Sequence, residues 1–86
     1  MTAVHEAADR VVAAIRSEVI ESTDVDDELL LLTVRVRPDA GLDTAMGLGL
    51  HGPRGASYAG GVATMFWTGG VGGITVRVET VTGGTR

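Results

Sequence analysis

Gly47-Leu48-Gly49-Leu50-His51-Gly52 spells G-x-G-x-x-G, the pattern whose glycines let a backbone cradle a dinucleotide pyrophosphate. That chemistry needs a strand before the run, a helix after it, and an acid about twenty residues on for the ribose. Here Pro53 and another glycine follow, and the next acid is Glu79. The run reads instead as a thin strand whose glycine side admits another backbone, and no cofactor is expected.

The acids of Asp24-Val25-Asp26-Asp27-Glu28 could hold calcium if their spacing suited it. An EF-hand loop puts oxygen ligands at its first, third, fifth and twelfth positions and glycine at the sixth. Counted from Asp24, the sixth residue is Leu29 and the twelfth is Arg35, so the cluster reads as a solvated linker. His5 and His51 are the only histidines and cysteine is absent, which leaves no metal-ligand spacing. Ser17, Ser22 and Ser57 lack the G-x-S-x-G context of an activated nucleophile. Paired carboxylates occur only in the linker, where nothing desolvates them. No catalytic or metal site is expected, and the chain is not expected to be an enzyme.

The net charge of -4 is unevenly spread over the 86 residues. Residues 1–28 hold eight acids and two arginines, whereas residues 29–86 hold three acids and five arginines. Such a chain repels nucleic acid overall, so no nucleic-acid partner is expected. Lysine, asparagine and glutamine are absent. Lysine and asparagine need AT-rich codons, which points to a GC-rich genome, such as that of an actinobacterium or its phage. The start, MTAVHEAADR, has acids where a secretory signal would be basic, so a cytoplasmic or virion location is expected. Residues 55–76 form an uncharged run of 22, long enough to span a bilayer, but seven of them are glycine. A membrane helix is therefore disfavoured.

The elements that position these residues follow from periodicity. Val4, Ala8, Val11, Val12, Ile15 and Val19 make one apolar stripe, predicting a helix over 2–20 with Thr2 as N-cap. Residues 21–28 read as a charged connector. Alternation predicts strands over 29–37, 44–51, 57–68 and 74–82, the third bent at Gly60-Gly61. Residues 83–86 read as a tail. The expected fold is a single α+β domain over 1–86, with one N-terminal helix packed on one face of a four-stranded antiparallel meander.

Register then assigns faces. If residues 69–73 form a five-residue loop, Phe66 faces Val76, and the apolar strand residues of even number share the helix side. Val11, Ile15, Leu32, Val34, Leu48, Phe66 and Val76 are the expected core. The opposite face would keep Leu29, Leu31, Met65 and Trp67, with Arg35 and Arg77 among them. Soluble monomers avoid such a face. Leu29, Leu31, Arg35, Met65, Trp67 and Arg77 are therefore the expected contact surface, with the Arg77 guanidinium on the Trp67 indole. The competing arrangement has the 38–43 segment or the tail folding over this face.

A homo-oligomer or larger protein assembly is the partner this surface implies. The expected function is a non-enzymatic assembly subunit, most concretely a small phage virion component (connector, tail or decoration subunit). The alternative is a small dimeric binding or regulatory module using the same face.

Overall fold

The computed structural model describes residues 3–83. The Thr2 cap and the tail residues 84–86 lie outside them. Helix α1 (Ala3–Ala13) is followed by strands β1 (Ile20–Asp26) and β2 (Leu31–Val36), helix α2 (Gly41–Leu48), and strands β3 (Arg54–Ala59), β4 (Val62–Val71) and β5 (Ile74–Gly83). The five strands form one mixed sheet in the order β1-β2-β5-β4-β3. β2 and β5 are parallel and the other neighbours antiparallel. The fold is α+β, with two helices and five strands in place of the expected one and four.

The core forms where both helices lie on one sheet face. Val4, Ala7, Ala8, Val11 and Ile15 of the α1 region meet Leu32, Val34 and Val36 of β2 and Ile74, Val76 and Val78 of β5. α2 adds Ala45, and β4 adds Trp67. The α1 stripe and the alternation of β2 and β5 thus do what the sequence implies.

Five expectations are corrected. The predicted helix 2–20 stops at Ala13, because Val19, Ile20, Thr23 and Val25 are β-branched and the segment pairs with β2. The supposed connector 21–28 is therefore mostly edge strand β1, pairing Val25 with Leu32 and Thr23 with Val34.

The predicted strand 44–51 is helix α2. Gly41, Ala45 and Leu48 recur at helical spacing and face the core or its margin. Gly49, at φ +71, closes the helix. Its N–H donates to the Met46 carbonyl at 3.1 Å and that of Leu50 to the Ala45 carbonyl at 3.0 Å, which is a Schellman cap.

The predicted strand 57–68 is the hairpin β3–β4, turning at Gly60 and Gly61 with φ +61 and +80. The hairpin β4–β5 turns on two residues, not five: Gly72 and Gly73 have φ +61 and +89, and Val71 pairs with Ile74. Two consecutive left-handed glycines match the strand twist, so each pair makes a tight two-residue turn.

Candidate functional site

The two-residue turn decides which side chains share a surface. It pairs Trp67 with Val78 and Phe66 with Glu79, whereas a five-residue loop pairs even with even. A slip of odd size sends every side chain of a strand to the other face. Trp67 and Met65 therefore lie on the helix face, and Phe66 on the opposite one. The expected contact surface is split: Leu31, Arg35 and Arg77 occupy the outer face, Met65 and Trp67 the helix face. Leu29, 65% exposed, sits in the β1–β2 turn.

Trp67 is buried at 9% exposure. The N-terminal turn of α2 covers it on the helix face, not on the opposite face where the competing arrangement put the 38–43 segment or the tail. A Cβ on Gly41 would lie 2.7 Å from the indole and 2.6 Å from the Thr80 methyl. Glycine is what brings the helix backbone this close.

On the outer face Arg35 and Arg77 converge on one carboxylate. Arg35 Nη2 reaches Glu79 Oε2 at 3.0 Å and Arg77 Nε reaches Glu79 Oε1 at 3.3 Å. The Arg77 guanidinium stands 4.2 Å from the centroid of the Phe66 ring. The cation thus lies on Phe66, not on Trp67, because the register places Phe66 beside it. Gly55 lies against the other side of that ring. Phe66 and Leu31 are half-buried.

The larger apolar surface lies elsewhere, on the helix face where α2 leaves β3 uncovered. Leu42 and Met46 are four apart and so share one flank of α2. Met65, Ala56 and Tyr58 point to the same side, since Ala56 pairs with Met65 and Tyr58 with Ala63. Leu42 is 51%, Met46 70%, Met65 45% and Tyr58 76% exposed. An open groove of about 570 Å³ runs between Leu42 and the β3–β4 hairpin, floored by Ala56, Met65 and the edge of Trp67, with Arg54 at its rim.

A second groove of about 480 Å³ separates the end of α1 from α2 and is lined by Arg16, Arg37, Asp39 and Asp43. Its arginines are engaged, Arg16 with Glu18 at 2.6 Å and Arg37 with Asp39 at 3.3 Å. The Glu18 carboxyl is held below the ordinary glutamate value, first by its own backbone N–H and then by Arg16. His5 Nε2 lies 2.7 Å from Asp27 Oδ1, tying α1 to the β1–β2 turn. The glycines of the 47–52 run have local roles: Gly49 caps α2, and a Cβ on Gly52 would meet the Thr68 backbone at 2.9 Å. That run begins in the last turn of a helix and a strand follows it, the reverse of the dinucleotide order. Among the described residues, no three of His, Asp and Glu are grouped to hold a metal. No helix among them is long and apolar enough to cross a membrane.

Sequence reasoning missed Leu42, Met46 and Tyr58. The first two were legible as an i, i+4 pair, but the alternation of Met46, Leu48 and Leu50 competed with that spacing. Tyr58 gave no signal, since its face depends on a turn. No known family model matches the chain, and no curated protein sequence matches it.

Proposed function

We propose that this protein acts by protein–protein contact, as a non-enzymatic subunit of an assembly. The observation that carries this reading is the uncovered apolar surface made by Leu42, Met46, Tyr58 and Met65 beside the β3 edge. Four large apolar side chains on one side of a small domain are a surface that water solvates poorly and a partner would cover. The groove lined by Leu42 and Met65 is open to solvent, which suits a protein surface better than an enclosed small molecule. Arg54 at its rim and Tyr58 beside it are of the residue types that carry binding energy at interfaces. A virion component of a phage from a GC-rich host is the concrete setting that best joins this surface to the absence of lysine and asparagine.

The test is solution mass by light scattering across a dilution series, for the wild type and for Leu42→Asp with Met65→Asp. Both side chains are half-exposed, so the variant keeps its core. The expected result is a wild-type oligomer that the variant cannot form. A wild type that stays monomeric into the millimolar range removes self-assembly as the function.

A further inference from the structure

We infer that the partner is a second copy of the chain, docked edge to edge through β3 in antiparallel register about Ala56, so that two sheets become one of ten strands. This rests on the assembly reading above and names its partner.

The argument starts from the two sheet edges. An exposed edge offers free N–H and C=O groups, and proteins blunt such edges with charge or a bulge. β1 is blunted both ways: it carries Glu21, Asp24 and Asp26, and its ladder is irregular between Ile20 and Ser22. β3 has no bulge, and its one charge, Arg54, stands at its first position. It pairs with β4 without a bulge from Arg54 to Ala59, and residues 55–59 are uncharged. No described strand lies on its other side.

Hydrogen-bond alternation selects the register. The Thr68 N–H donates to the Pro53 carbonyl at 3.1 Å, so Pro53 and Thr68 form a hydrogen-bonded pair. Such pairs alternate along an antiparallel ladder. Gly55, Ser57 and Ala59 therefore turn their backbone groups toward β4, and Arg54, Ala56 and Tyr58 turn theirs outward. Two copies of β3 related by a two-fold axis at Ala56 oppose Ala56 to Ala56 and Arg54 to Tyr58 of the second copy. Every outward N–H and C=O of the three residues is then paired. A shift by two residues in either direction leaves some of them without a strand partner.

The same register settles the side chains. Arg54, Ala56 and Tyr58 all lie on the helix face, so both helix layers fall on one side of the joined sheet. Small alanines meet at the axis, and each Arg54 stands opposite a tyrosine ring, a cation–π pair in place of two opposed cations. Leu42 and Met65 of each copy then border a common trough over the axis. The acidic β1 edges end at the far sides, about nine strand spacings or roughly 43 Å apart, well beyond the screening length of roughly 8 Å at physiological salt. Pairing β1 with β1 would set its acids against one another. Pairing β3 with β1 would not close and would run on as a filament.

The test combines solution mass with amide hydrogen exchange by NMR over a concentration series. The expected mass doubles and then holds level. The amides of Arg54, Ala56 and Tyr58 become protected as it doubles, while Gly55, Ser57 and Ala59 are protected throughout. Ala56→Pro removes an N–H that β4 does not use, so the monomer folds and dimerisation weakens on the order of tenfold or more. Dimers in which the Arg54, Ala56 and Tyr58 amides exchange freely, or that Ala56→Pro leaves intact, overturn the edge pairing while the assembly reading stands. A mass that climbs without a plateau overturns it in favour of β3–β1 chains. A wild type that remains monomeric overturns both.

Discussion

Gly41 sets how closely α2 approaches the sheet. A valine there would drive its Cβ into the Trp67 ring and the Thr80 methyl at under 3 Å. Gly41→Val is expected to destabilise by about 1–3 kcal/mol through overpacking, read as a lower urea midpoint with unchanged slope. Trp67→Ala opens a cavity under α2 and is expected to cost about 3–5 kcal/mol. Phe66→Ala is expected to cost roughly 1–2 kcal/mol, because its ring is half-exposed and loses mainly Arg77 and the Gly55 contact. Equal losses at the two aromatics would contradict the register. Glu18 supplies a third residue-scale measurement. Its carboxyl pKa is lowered, so its contribution to stability is present above the ordinary glutamate value and is lost as pH falls through the lowered one. Carbon-detected NMR titration should show that midpoint below an ordinary glutamate, and Arg16→Ala should move it up.

At the scale of elements, the paired glycines of the hairpin turns determine which residues become neighbours. Both turns need left-handed backbone at two successive positions, a conformation that is strained for β-branched residues. Gly73→Val is therefore expected to destabilise by at least about 1–2 kcal/mol, measured by thermal unfolding. Gly47→Ala is expected to do the opposite. Its Cβ would meet open space inside α2, and alanine favours helix by roughly 0.8–1 kcal/mol over glycine. A raised melting temperature of that variant is the measurement that checks it.

For the whole molecule, charge is sorted across the sheet, with acids concentrated on β1 and in the β1–β2 turn while β3 carries Arg54 alone. Each chain is net negative, so two copies repel weakly at long range. Raising salt from about 0.02 to 0.15 M shortens the screening length, and the β3–β3 dimer is expected to tighten slightly, by less than about threefold. A β3–β1 contact would bring Arg54 against acids and would loosen with salt. The sign of the salt effect, measured by sedimentation equilibrium, separates the two.

Much of this was written in local spacing. The α1 stripe of Val4, Ala8 and Val11, the alternation of Leu32, Val34 and Val36, and that of Ile74, Val76 and Val78 all lead to the core they form, because period alone selects a buried face. So the α+β class and the strands β2 and β5 were legible, but not their parallel pairing, because a meander would set them at opposite edges of the sheet. What residues 41–48 become was not, since their apolar residues fit both periods and only the Gly49 cap and the Trp67 surface beneath decide for helix. The face of Trp67 was not legible either. It depends on whether the Gly69–Gly73 run spends two residues or five on its turn, and glycine permits both. The strand stagger, the cover from α2 and the pairing of Trp67 with Val78 choose between them, and these exist only when the chain is folded.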